Sequence, residues 1–328
     1  MELRKVQRTN SGTFFVSLPK QWAERARLDK GAMLAVSESI DGRLSLDPQY
    51  DAERKSLSVV IQPTSHLGRE IVGKYLLGYD EIRVEAKNRI SPEERAIVKQ
   101  TSNRLIGLEI VEEDFACVVL QSLLGAASSP EKILRREYNI ASSMHRDALR
   151  SLFERDVHLA RNVIARDVEA NRFYFLLVRT LRTLIQNPRL GEKFGFHSID
   201  CLDYRLCASL VEGIGDRAVE IATKALEMEQ MQISQEVSHD IGEFHTMVFD
   251  AQEIALRSFF KHDVVLAEEV KAKRVKAETM LQKIESKAKK QLAEVVPLIL
   301  TVVSSMYRIF GHSVDIADLV MPKELETV

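Results

Sequence analysis

The sequence predicts a mixed, mainly α fold: a β-rich N-terminal segment, a small α/β middle and a long helical C-terminal half. Three observations predict it. Eight of the 14 glycines fall before residue 126, so turns concentrate in the first third. Residues 131–187 and 243–296 contain neither glycine nor proline, the two residues that interrupt helical ladders. Finally, ALRSLFERDVHLA at 148–160 and ALRSFFKHDVVLA at 255–267 share nine of 13 residues at an offset of 107.

The elements follow in order. Thr13 to Leu18 is a β-type run closed by Pro19, and Lys20 to Arg27 suits a short helix opening after that proline. Met33 to Ser37 and Arg43 to Leu46 are short strands about Asp41-Gly42, a hairpin signal. Residues 1–48 thus form the first predicted domain. Residues 55–125 alternate: strands at 56–61, 81–84, 108–111 and 116–120, helices at 66–77 and 92–106. Ser91 and Glu94 have capping-box spacing. Gly125 to Pro130, with Ser128-Ser129 as a cap, links this second domain to the third, residues 131–322.

A single helix over 131–187 would be about 85 Å long, so each breaker-free span is expected to fold back as two helices. No residue marks the break. The duplicated window, with a second matching pair at 214–222 and 309–317, makes the third domain a pair of three-helix bundles.

Composition excludes several classes. The net charge of -2 rules out a chain that is basic overall, so any nucleic-acid surface is a local patch. Three scattered cysteines without C-x-x-C spacing fit buried thiols in a reducing compartment. No apolar signal or membrane span is expected, because the longest apolar run is interrupted by Pro297. The expected location is the cytoplasm. No G-x-S-x-G, Walker A or zinc-ligand spacing occurs, so no enzyme activity is expected.

Gly213-Ile214-Gly215-Asp216-Arg217-Ala218 spells G-x-G-x-x-A, the string of a dinucleotide turn. That turn needs a preceding strand and a βαβ unit. Here the flanks Leu206, Leu210, Ile214 and Ile221 run in helical steps, and the repeat places Arg308 and Phe310 at the two glycines. The segment therefore reads as helix, its glycines permitting close helix approach. Glu212 and Asp216, at i and i+4, then share one face, with Asp167 and Asn171 on the preceding helix as candidate partners. Such a face is either a metal seat or a solvated acidic stripe. The second copy has Arg274, Tyr307 and Gly311 at the positions of Asp167, Glu212 and Asp216. Residues 1–30 carry seven Lys/Arg against three acids, a local +4 that suits phosphate contacts or a plain solvated face.

Two resemblances extend this reading. Residues 4–48, from Arg4-Lys5 through Leu18-Pro19 and Leu28-Asp29-Lys30-Gly31 to the hairpin, resemble the SpoVT/AbrB-type swapped-hairpin DNA-binding domain. That resemblance implies a homodimer of interleaved hairpins with basic residues on DNA, here Arg4, Lys5, Arg8 and Lys20. Residues from about 131 to 320 resemble PhoU, a phosphate-uptake regulator. Glu212-Gly213-Ile214-Gly215-Asp216-Arg217-Ala218-Val219-Glu220-Ile221-Ala222 looks like its E-R-I-G-D-H-A-x-N-I-A signature. This implies iron or zinc at Glu212 and Asp216, with Asp167 as a match on the second helix. The combination resembles archaeal PhoU-like regulators. Two expectations follow: a DNA-binding regulator of phosphate uptake, or a non-DNA-binding adaptor docking on a phosphate ABC transporter ATPase or sensor kinase. Ala23-Glu24 in the short helix, where the DNA-binding family carries arginines, favours the adaptor; Arg4-Lys5 favours the regulator. A carboxylate metalloenzyme is the third and least supported class.

Overall fold

The structure is a computed structural model that describes residues 2–38, 42–48, 56–124 and 129–322. It divides into two compact units, residues 1–56 and 57–328. The expected turn residue Asp41 and most of the 125–130 linker, including Ser128, lie outside the described residues.

In the first unit, β1 (Gln7–Arg8) pairs antiparallel with β2 (Phe14–Phe15). Helix α1 (Lys20–Arg25) follows Pro19. Strands β3 (Ala35–Glu38) and β4 (Leu44–Asp47) form an antiparallel hairpin. The strand expected at 13–18 shrinks to two residues, because Ser17 Oγ and the Leu18 carbonyl accept hydrogen bonds from Arg4 instead of a strand. Among the described residues of this unit none is buried.

The second unit opens with a four-stranded sheet in the order β5-β6-β8-β7. Strand β5 (Ser58–Ile61), helix α2 (Leu67–Leu76) and the parallel strand β6 (Glu81–Glu85) form a βαβ crossover. Helix α3 (Pro92–Asn103) carries the predicted capping box at Ser91 and Glu94. Strands β7 (Leu108–Glu113) and β8 (Cys117–Ser122) complete the sheet antiparallel. Ile71, Tyr75, Ile82, Val84 and Leu120 make its core.

The helical part has α4 (Pro130–Glu154), α5 (Val157–Gln186), the short α6 (Pro188–Lys193) and α7 (Asp200–Glu227). The second copy has α8 (Gln235–Lys261), α9 (Val264–Ala272), α10 (Arg274–Ala288) and α11 (Val296–Asp318). The fold is thus mixed and mainly α, with two bundles of three helical layers sharing one continuous core. The second layer of the second copy differs from the first: it breaks at Lys273 into α9 and α10.

The unmarked break between paired helices has a common cause in both copies. Arg155 and His262 adopt left-handed backbone, at φ 55° and 52°. The next residues, Asp156 and Asp263, cap the following helices by accepting from the backbone N–H groups of Leu159 and Leu266. One further contact fixes the sheet to the bundle. Arg179 of α5 is buried, donates to the carbonyls of Tyr75 (2.6 Å) and Tyr79 (2.9 Å), and lies over the Tyr75 ring. It thereby gives a buried donor to the Tyr75 carbonyl, which also accepts from the Gly78 N–H, and to the Tyr79 carbonyl just beyond α2.

Candidate functional site

Helix α7 runs unbroken through the G-x-G-x-x-A string, so no phosphate-binding turn exists there. Its glycines serve packing. A Cβ at Gly213 would lie 2.8 Å from Nε2 of His312 on α11, whereas one at Gly215 would meet only ordinary contacts at Met144 and Ala141. The close approach expected from sequence therefore belongs to Gly213.

The acidic face of α7 turns towards α5 and α4. Asp167 accepts from Asn171 Nδ2 at 3.0 Å, joining the expected i, i+4 pair. Burial, reinforced by Asp216, raises the Asp167 carboxyl above the usual carboxylate range. Glu212 is raised by burial first and then by Asp216 and Asp167. The structure therefore brings Glu212, Asp216 and Asp167 into mutual repulsion, with Arg205 and Arg217 only partly compensating at Glu212.

A fourth carboxyl was not expected. Glu137 of α4 is completely buried, and neither of its oxygens has a hydrogen-bond partner among the described residues. Burial, then the Glu212 charge, pushes its carboxyl well above the ordinary range. A signal for it was present: Glu137 interrupts the apolar stripe Ile133, Leu134, Tyr138, Ala141 and Met144, and its repeat counterpart is Phe244.

Oxygen donors of this kind suit a hard or borderline cation. As placed, however, no three His, Cys, Asp or Glu side chains converge to hold a metal ion among the described residues. The group has the charge for a metal but not the arrangement of a coordination shell, and Glu137 lies in the apolar core. The chain's one Glu-x-x-His, Glu236 and His239, whose spacing is that of a carboxylate metal motif, is engaged elsewhere: Glu236 with Lys287, His239 with Glu243. Cys201 and Cys207 are free and buried, and Cys117 is free and half-buried.

In the first unit the four basic candidates are differently committed. Arg4 donates to Ser17 Oγ and the Leu18 carbonyl and pairs with Glu2. Arg8 lies over the Phe14 ring, and Lys20 stands 3.8 Å from Glu24. Lys5 is exposed and makes none of these contacts.

The first bundle matches a described family. Residues 134–225 match the PhoU domain. The match runs from α4 through most of α7 and so contains Glu137, Asp167, Glu212 and Asp216. Among solved structures, PhoU from Pseudomonas aeruginosa superposes with a TM-score of 0.53 at 19% identity, covering 58% of this chain and 93% of that one. The phosphate transport system regulatory protein PhoU from Streptococcus pneumoniae gives 0.52 at 15% identity, covering 58% and 91%. The two bundles therefore share the PhoU fold. No curated protein sequence matches the chain. No helix among the described residues is long and apolar enough to cross a membrane.

Proposed function

We propose that the chain is a PhoU-like regulator of phosphate uptake that acts as an adaptor, docking through its bundles on a cytoplasmic phosphate transporter ATPase or sensor kinase. The observation that carries this reading is the PhoU domain match at 134–225 together with the PhoU fold of both bundles. Affinity capture with the full chain as bait, from cells starved of phosphate, tests it. Retention of a phosphate-transporter subunit or its kinase supports the reading, and recovery of neither rejects it.

We further propose that the N-terminal unit works as a homodimer. Its apolar side chains face outward: Leu3 is 84% exposed, Phe14 67%, Met33 68% and Leu44 67%. A unit of four short strand segments, with no buried residue among those described, lacks the core that independent stability demands. A cleft of about 540 Å³ between Leu18, Pro19, Trp22, Leu44 and Leu46 offers a seat for the matching segment of a second copy. A monomeric molar mass in solution would reject this.

The DNA-binding reading is favoured by one observation, the exposed Lys5 beside Arg8 on a unit that dimerisation would make two-fold. A gel shift with promoter DNA of phosphate-transport genes tests it, with Arg4→Ala and Lys5→Ala as variants. Sequence-independent binding, equal in wild type and variants, sinks it. A metal role for Glu212, Asp216 and Asp167 rests on their mutual repulsion, which a cation would relieve. Stoichiometric iron or zinc in the purified protein would support it; metal-free protein whose melting is unmoved by either ion would reject it.

A further inference from the structure

The repeat extends well beyond the matching window. Helices α4 and α8 are equivalent at the offset of 107, and their buried positions coincide: Leu134 with Ile241, Ala141 with Val248, Ala148 with Ala255, Ser151 with Ser258. Even a detail recurs, since Ser151 Oγ donates to the Ala148 carbonyl and Ser258 Oγ to the Ala255 carbonyl, both at 2.7 Å. The two helices meet at the seam between the bundles. His145 touches Gln252, its own counterpart, at 3.0 Å, so a local pseudo-twofold axis passes there.

That axis relates two clefts. One, of about 290 Å³, is lined by Arg135 and Asn139 of α4 and by Glu253, Arg257, Phe260 and Lys261 of α8, with Tyr138 and Leu256 beneath. The other shares only the counterparts of Arg135, Asn139 and Phe260, which are Gly242, Thr246 and Phe153, and is otherwise lined by Gln235, Ser238, His239 and Glu243. The frame is shared; the order of the charges along it is not. In the first copy Arg150 is neutralised by Glu154, one turn on, at 2.9 Å. In the second copy the same two positions hold Arg257 and Lys261. Arg257 therefore has its carboxylate one turn before it, at Glu253, and a like charge one turn on, the reverse of Arg146, Arg150 and Glu154 in the first copy. Neither cation has an ion-pair partner among the described residues.

The remaining wall is prepared rather than loose. The Arg135 guanidinium stacks 3.8 Å above the Phe260 ring while it holds Glu131. Glu253, the one carboxylate of the lining, takes hydrogen bonds from Tyr138 Oη at 2.7 Å and Ser142 Oγ at 3.2 Å. Three cations thus face one tethered carboxylate. A lysine in the last turn also complements the helix dipole. That accounts for neither the unpaired Arg257 nor the glutamate in the equivalent last turn of α4.

We propose that this cleft binds the phosphoryl group of a small phosphate monoester, with Arg257 gripping two oxygens, Lys261 supplying a point charge, and Leu256 and Phe260 bordering the organic part. The volume lies at the lower edge of the range for small-molecule sites. The site is independent of any partner that docks elsewhere on the bundles.

Titration calorimetry with the full chain tests this, using phenyl phosphate, inorganic phosphate and phenol as probes. Phenyl phosphate is expected to saturate, to bind tighter than inorganic phosphate, and to outbind phenol. Equal binding by the two phosphates would replace the ester with the free anion and overturn the proposal as stated. Lys261→Glu recreates the ion pair that Arg150 has in the first copy, so it is expected to fold and to weaken binding at least about tenfold, or about 1.4 kcal/mol. Glu154→Lys, the reciprocal change, is expected to leave binding unaltered. Absence of saturation, or equal affinity in wild type and Lys261→Glu, overturns the site.

Discussion

The two bundles are one design carried twice, differing at a few charged positions and in the break of the second layer at Lys273. Both break their first and second helices with a left-handed residue followed by an aspartate cap. Both keep the same buried positions along the first helix. Yet the first copy places a carboxyl in its core at Glu137, where the second has Phe244, and an acidic group at Asp167, Glu212 and Asp216, where the second has Arg274, Tyr307 and Gly311. Packing fixes the period of the buried positions; charge varies at half-buried positions and, at Glu137, within the core itself. Chemistry therefore concentrates in the differences between the copies.

Exchanging core residues across the repeat is expected to have the largest effect. Phe244→Glu sets a carboxyl into a site with 0% exposure and no preformed polar surroundings, and is expected to cost on the order of 4 kcal/mol. Thermal denaturation checks it; a melting temperature within a degree or two of wild type would show that the second copy accommodates the carboxyl as the first does.

The pH dependence of the first copy comes next. The folded-state affinity of Glu137 for its proton is raised by burial and by Glu212, so its stability contribution is full below the ordinary glutamate pKa and is lost as pH rises towards the folded value. Glu212 and Asp167 titrate in the same sense. Glu137→Gln keeps the shape without the charge, and its melting temperature is expected to gain on wild type steadily from pH 5 to pH 9. Parallel curves would place the titration elsewhere.

The α7–α11 contact offers a finer comparison. Gly215→Ala removes a helix-interior glycine without a clash and is expected to stabilise by up to about 1 kcal/mol, whereas Gly213→Ala must displace the His312 ring and is expected to destabilise. Equal shifts in denaturant midpoint would contradict the close approach. Smallest of all, Asp156→Ala and Asp263→Ala are each expected to cost about 1 kcal/mol, by equal amounts if the caps are equivalent. A large inequality in urea unfolding would break the comparison at its most local point.

Much of this was legible from the chain alone. Period, breakers and the repeat revealed the two bundles, and the capping box at Ser91 and Glu94 appeared as written. The helix breaks escaped single-window reading because a left-handed arginine or histidine leaves no compositional mark. Only the alignment of Arg155-Asp156 with His262-Asp263 exposes the cap. The acidic face was legible as i, i+4 spacing; Glu137 shows only as a break in an apolar stripe, and its coupling to Glu212, 75 positions away on another helix, leaves no mark in the sequence. The strand expected at Thr13 to Leu18 fell short because Arg4, expected on a nucleic-acid surface, spends its donors on Ser17 and Leu18.

The hydrogen bond between His145 and Gln252 has a consequence for the origin of the chain. In a symmetric pair of separate bundles, an axial residue must face its own image, so it has to be self-complementary. Joining the halves in one polypeptide lifts that demand. A histidine can then be matched by a glutamine, each able to specialise in one half of the bond. The heterotypic contact on the axis is the mark of two halves that no longer need to be identical.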